Sequence, residues 1–132
     1  MPRECVTSLR LQHRMHPAIG TLISECFYGG ELDSEARDSP AWLPLFAPAP
    51  VTWLTTAGHS DRGERPTGGS EPSYTNPHEA RCIEHMLRRL DFTLRAAGER
   101  ASVAILTGYG AQRGLIEQRI QRAVGGWEAL DV

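Results

Sequence analysis

Lysine is absent from this chain of 132 residues, whose 14 basic side chains are all arginine. That absence excludes a complete Walker A loop, whose lysine must reach the phosphates. It also excludes Schiff-base chemistry through a lysine amine. Any nucleotide chemistry here is half of a site, with the other half elsewhere. Cysteine is scarce: three residues, Cys5, Cys26 and Cys82, scattered and odd in number. Two of them fall on apolar faces of predicted helices, which suits reduced, buried thiols in a cytosolic protein. No apolar run approaches membrane-spanning length and the N-terminus carries no signal-peptide core, so the chain reads as cytoplasmic with no membrane partner. Net charge is also small, −2, which argues against a broadly basic nucleic-acid-binding surface.

What is present suits one soluble domain, or most of one, with a core of its own; hydrophobic residues make up 40% of the chain. Charge is uneven along it. Residues 31–79 hold eight acidic side chains against three arginines, and residues 80–124 hold eight arginines against four acidic side chains. The basic half either faces a polyanion or solvates helix surfaces.

Residues 5–11 read as a short strand leading into Gln12-His13-Arg14-Met15-His16-Pro17. A helix follows with Pro17 at its first position and Ile19, Leu22, Ile23, Cys26 and Phe27 on one face, stopped by Gly29-Gly30. Residues 31–50 are acidic and then rich in proline and alanine, and read as an irregular loop; residues 57–75 read as a second, polar one. Val51-Thr52-Trp53-Leu54-Thr55 is a strand candidate. Asn76-Pro77-His78-Glu79 reads as a helix start, with asparagine as cap and glutamate closing a capping box. Ala80, Ile83, Met86, Leu87, Leu90 and Leu94 then mark an amphipathic helix ended near Gly98. Residues 102–107 read as a buried strand, followed by a Gly108-Tyr109-Gly110 turn and a helix carrying Leu115, Ile116, Ile120 and Val124. The alternation of strand and helix predicts an α/β fold, a parallel sheet with covering helices, over residues 1–132.

Two segments carry candidate chemistry. Gln12, His13 and Arg14 put an amide, an imidazole and a guanidinium where a chain leaves a strand, the place where α/β folds collect ligand contacts. The arginine is suited to phosphate oxygens and the histidine to stacking on a base; the competing reading is a surface arginine and a capping histidine. Thr107-Gly108-Tyr109-Gly110-Ala111-Gln112 sits at a strand end and opens a helix, so its backbone N–H groups, the Thr107 hydroxyl and the Gln112 amide could hold a phosphate. A tight turn serving geometry alone is the alternative. His13 with His16, and Cys82 with His85, stand three apart, but no further ligand falls at zinc spacing, so no metal site is expected. No Gly-x-Ser-x-Gly elbow occurs.

The block Gln12-His13-Arg14-Met15-His16-Pro17, with Ile19, Ser24, Phe27-Tyr28 and Gly30-x-Leu32, resembles motif IV of helicases in the Upf1/Dna2-like branch of superfamily 1. Two later blocks resemble that family in the same order: Ser73-x-x-Asn76-x-x-Glu79-Ala80 and Ile105-Leu106-Thr107-Gly108-Tyr109-x-x-Gln112. The resemblance implies a partial second RecA-like (P-loop NTPase-like) domain. It also implies ATP with Mg2+ held by the first RecA-like domain, the partner, and single-stranded DNA or RNA as the other ligand. Arg14 matches the arginine that reaches the γ-phosphate, with Gln12 and His13 as its nucleotide-binding neighbours. His13 stands where the family has a tyrosine stacking on adenine. Thr107, with Tyr109 and Gln112, matches the strand-contacting segment, and Gly108 replaces the family's proline.

Walker A, a Walker B acidic pair, a Gln-Gly-Arg-Glu segment and a last arginine motif are all missing. The expectation is therefore a piece of a helicase motor, lacking its last strands, that supplies Arg14 to hydrolysis but turns over no ATP and binds no cofactor alone. A stand-alone interaction module that pairs through an unfinished sheet edge is the rival. An unrelated nucleotide-binding α/β enzyme is the third reading.

Overall fold

A computed structural model describes residues 9–68 and 73–132. The chain divides into two compact units, Met1–Trp53 and Leu54–Val132. Residues 5–8 of the first expected strand lie outside the described residues.

The first unit is a strand–helix–strand crossover. β1 (Leu11–Gln12), α1 (Pro17–Phe27) and β2 (Asp33–Ser34) follow one another, and β1 pairs parallel with β2, Leu11 opposite Asp33 and Gln12 opposite Ser34. α1 starts where its sequence predicts: Pro17 occupies the first turn, where its missing N–H costs nothing, and the His16 ring accepts from Ala18 N. It stops because Gly29 and Gly30 adopt φ of 58° and 81°, letting Gly30 N turn back onto Ser24 O.

The buried face of α1 differs from the predicted one. Gly20 and Ser24 are buried, whereas Ile19, Leu22, Cys26 and Phe27 are exposed. Close approach explains this: a Cβ on Gly20 would lie 2.0 Å from Ser34 Oγ and 3.0 Å from Gln12 Nε2. Apolar spacing locates a stripe but not the neighbour that covers it, and here the small residues meet the strands. Cys26 is accordingly an exposed thiol rather than a buried one.

Segment 31–50, expected to be irregular, contains β2 and the single-turn helix α2 (Leu43–Phe46). The strand expected over Val51–Thr55 does not form. Trp53 is 92% exposed there and no neighbouring chain pairs with the segment among the described residues. β-Branched and aromatic residues favour a strand only when a ladder partner and a packed face exist.

The second unit opens with an antiparallel pair inside the other expected loop, β3 (Arg65–Thr67) and β4 (Ser73–Thr75). α3 (Pro77–Ala97) follows, with Asn76 Oδ1 accepting from Glu79 N at one end and Gly98 at φ 70° closing the other. Next come β5 (Ala101–Ser102), α4 (Gly110–Gln121) and β6 (Leu130–Asp131), with β5 parallel to β6. α3 packs on α4, and Ala80, Leu87, Leu94, Ile116, Ala129 and Leu130 form the buried core. Asp91, buried on α3, accepts from Glu128 N and Ala129 N at 3.0 and 2.8 Å, which seats the entry to β6.

Two expectations need correction here. α4 ends at Gln121, so Val124 lies beyond it and is 87% exposed, ahead of two glycines with positive φ. The strand expected over 102–107 is laddered only at its start. Val103 N still reaches Asp131 O at 2.8 Å, but residues 104–107 have no ladder partner among the described residues and Leu106 is 93% exposed. A run such as Val-Ala-Ile-Leu marks a strand buried between two neighbours, and only one short neighbour is present. The class is α/β as expected, with parallel pairing among the described residues in two two-stranded ladders. No helix among the described residues is long and apolar enough to cross a membrane.

Candidate nucleotide and strand contact sites

The turn after β1 is built around one amide. Gln12 Oε1 accepts from Arg14 N at 2.9 Å and Met15 N at 2.6 Å, while Gln12 Nε2 donates to Met15 O at 3.1 Å and Ser34 Oγ at 2.8 Å. Both ends of the side chain are engaged, so Gln12 shapes the turn. His13, on the outside, has Nδ1 at 2.9 Å from Glu35 Oε2. That hydrogen bond and the charge of His13 hold the Glu35 carboxyl below the ordinary glutamate range, with Arg37 adding to the effect. Arg37 also donates to the carbonyls of His13 (3.1 Å) and Arg14 (3.4 Å). The exposed Arg14 guanidinium, by contrast, has no hydrogen-bond or ion-pair partner among the described residues. Its backbone is tied at both the N–H and the carbonyl, while its charge is unpaired among these residues.

The segment that cradles this turn is 33–39, which the sequence alone presents as part of an irregular loop. Ser34, Glu35, Arg37 and Ser39 meet Gln12, His13, the His13 and Arg14 carbonyls, and His16 in turn. Glu35 N continues the ladder to Gln12 O at 3.1 Å. The usable signal was the recurrence of Glu35, Arg37 and Ser39 at every second position, an extended-chain spacing. The prolines at 40, 44, 48 and 50 masked it.

In the second unit, the two later sequence blocks come together. Gln112 is buried; its Oε1 accepts from Asn76 N at 2.7 Å and its Nε2 donates to Asn76 O at 3.2 Å and meets Glu79 Oε2 at 3.5 Å. The asparagine cap on α3 forms as expected, but the capping-box contact to the Asn76 N–H is made by Gln112 instead of Glu79. Ser73 Oγ accepts from Ala111 N at 3.2 Å. Thr107, Gly108, Tyr109 and Gln112 line a recess of about 130 Å³ with Glu64, Tyr74, Thr75, Asn76 and Glu79. Sequence reasoning overlooked Tyr74, whose ring lies 5.3 Å from that of Tyr109.

The arginine-rich half is largely neutralised within the chain. Arg81 pairs with Asp61 (2.8 Å), Arg88 and Arg119 with Glu84 (3.2 and 3.0 Å), Arg95 with Glu128 (3.0 Å) and Arg113 with Glu117 (3.3 Å). Hydrogen bonds from Arg81 and Arg65 lower the pKa of Asp61, and hydrogen bonds from Arg119 and Arg88 lower that of Glu84. Among the described residues no group of three or more histidine, cysteine or carboxylate side chains is arranged to hold a metal. His16 is occupied as a cap and by Ser39, and Cys82 Sγ lies 3.5 Å from His78 Nε2.

Residues 2–132 match the AAA domain family. The chain is 30% identical over 118 residues to a regulator of nonsense transcripts 1 homolog of Drosophila melanogaster, covering 86% of this chain and 9% of that protein. It is 28% identical over 114 residues to the Neurospora crassa homolog, covering 86% and 10%. It is 29% identical over 119 residues to a putative regulator of nonsense transcripts 1 of Takifugu rubripes, with the same coverage, 86% and 10%. The chain thus spans about a tenth of the length of these curated relatives. No solved structure matches it.

Proposed function

This chain belongs to the AAA domain family and is a Upf1-like superfamily 1 helicase segment, and from that premise we propose that its Gln12–Pro17 turn completes an ATP site held mainly by another domain. Arg14 is the arginine finger: it meets the γ-phosphate and stabilises the charge that develops as the phosphoryl bond breaks. One observation carries this reading. The Arg14 backbone is tied by Gln12 and Arg37 while its guanidinium has no partner among the described residues, the state of a group held ready for a ligand in trans. Gln12 positions the turn and His13 lies against the base. ATP and Mg2+ are held by the first RecA-like domain, whose lysine and acidic pair this chain lacks.

The second contact is with a single strand of nucleic acid at the recess beside α4. Thr107 and Tyr109 touch the strand, and Gln112 holds their loop against Asn76. Alone, the chain hydrolyses no ATP. In a protein joining it to a Walker A domain, Arg14→Ala abolishes hydrolysis and leaves ATP binding within a few fold. Retained turnover in that variant removes Arg14 from this role.

A second reading draws on a different observation, the backbone of 104–107, which has no ladder partner among the described residues, with Leu106 exposed. That edge suits addition of a strand from a partner domain. Size-exclusion chromatography of the chain mixed with a first RecA-like domain tests it: co-elution supports pairing, and two independent peaks count against it.

A further inference from the structure

The recess beside α4 has a charge pattern that the strand-contact reading leaves unexplained. Two carboxylates, Glu64 and Glu79, line it, and among the described residues no arginine does. Phosphates entering it would meet like charge in a partly desolvated space, where repulsion exceeds its value in water. The rest of the lining is neutral: Thr75, Asn76, Thr107, Gly108, Gln112 and two aromatic rings.

Those rings are held by separate elements. Tyr74 is the middle residue of β4, opposite Pro66 of β3, and Tyr109 caps α4. Their planes are tilted by 59°, and each ring is partly open to solvent, at 37% and 42% exposed. The Gln112–Asn76 bridge and the bond from Ala111 N to Ser73 Oγ fasten the two elements together, so the rings form an angled wall of fixed geometry. A wall of two tyrosines beside carboxylate acceptors suits a flat, neutral group bearing N–H donors. A nucleobase with an exocyclic amino group is such a group.

We propose that Tyr74 joins Tyr109 as a base-stacking pair, so that a strand binds here with one amino-bearing base inward and its phosphates outward. This rests on the strand-contact reading. The base stacks on the tyrosine wall and donates toward Glu64 or Glu79, while Thr107 and Gly108 at the rim meet the sugar–phosphate chain. Stacking of this kind tolerates sequence but requires a base.

Fluorescence anisotropy with a labelled octamer of deoxyadenylate, and with the same octamer abasic at its central positions, tests this at 50 and 200 mM salt. Tyr74→Leu is expected to weaken the deoxyadenylate octamer about tenfold, with Tyr74→Phe within about twofold of the parent. The salt dependence keeps its slope because no phosphate contact is lost. The abasic octamer binds the parent chain as weakly as the normal octamer binds Tyr74→Leu, and the variant weakens it no further. Equal affinity of parent and Tyr74→Leu for deoxyadenylate, or an equal loss on the abasic strand, overturns the proposal. A parent chain that binds neither octamer at either salt removes the strand-contact reading itself and this inference with it. NMR provides a readout that needs no variant: at saturating deoxyadenylate the Tyr74 ring protons move upfield in the parent chain, and unmoved resonances overturn the stacking role.

Discussion

Gln112 bridges the backbone of Asn76 in both directions, accepting from its N–H at 2.7 Å and donating to its carbonyl at 3.2 Å. Both residues are buried, at 4% exposure each, so neither backbone group has water as an alternative partner. The bridge joins the start of α3 to the start of α4 and fixes the loop bearing Thr107 and Tyr109. Replacing Gln112 with leucine keeps much of its volume but leaves the buried Asn76 N–H unpaired, while the Asn76 carbonyl keeps its bond from Ala80 N at 3.1 Å. The expected loss is about 1–3 kcal/mol, from one unsatisfied buried donor. Urea unfolding followed by circular dichroism measures it; a loss under about 0.5 kcal/mol would mean that the bridge does not matter.

Gly20 makes a sharper test of the first unit. An added methyl would lie 2.0 Å from Ser34 Oγ, so Gly20→Ala must displace Ser34 or the helix. The expected cost is about 1–3 kcal/mol, with faster hydrogen exchange at the Arg14 and Met15 amides. Removing the hydroxyl in Ser34→Ala leaves Ser34 Cβ as the nearest side-chain carbon at 3.3 Å. The double variant should therefore be less destabilised than the two single changes predict together. Simple additivity would show that the clash is not the cause.

Arg14 and Arg37 should separate cleanly. With no partner for its side chain among the described residues, Arg14→Ala is expected to shift unfolding by no more than about 0.5 kcal/mol, as exposed substitutions do. Arg37→Ala removes the donors that hold the His13 and Arg14 carbonyls, and should speed exchange in the turn while leaving the second unit unchanged. Identical exchange maps for the two variants would contradict the division between a free charge and a clamp.

Acid sensitivity follows from three carboxylates. Glu35, Asp61 and Glu84 are each held below their ordinary values by hydrogen bonds from His13, Arg81 and Arg119 respectively. A carboxylate with a depressed folded pKa contributes stability that is present above its unfolded value and lost as pH falls through the folded one. Stability from the two arginine-paired carboxylates is therefore constant above about pH 5 and declines below about 4.5 for Glu84 and 3.8 for Asp61. Asp61 is exposed and Glu84 half-buried, so 1 M salt should flatten the decline, most of all for Asp61. Melting temperatures between pH 3 and 7 at low and high salt check this; an unchanged decline at high salt would place its origin elsewhere.

Sequence was most informative where a local rule was enough. Asn76 and Gly98 bound α3, and Pro17 and Gly29-Gly30 bound α1, because caps and positive-φ glycines act within a few residues. It failed where an outcome depended on a distant neighbour. The apolar stripe of α1 is exposed because Gly20 and Ser24 face the strands, and Val51–Thr55 is not a strand because none of the described residues pairs with it. For the candidate sites, Gln12, Arg14, Thr107, Tyr109 and Gln112 were legible from motif. Their supports, Ser34, Glu35, Arg37 and Tyr74, were not, since each is defined by a partner at least 22 residues away.

Among the described residues, the hydrogen bonds that shape the Gln12–His16 turn close loops of at most 24 positions, the longest joining Arg37 to His13. Closing so small a loop costs little chain entropy, and each doubling of length would add only about 0.6 kcal/mol. The turn can therefore order early and without waiting for the second unit. During synthesis, all the described partners of the Arg14 turn are present once residue 39 has emerged from the ribosome.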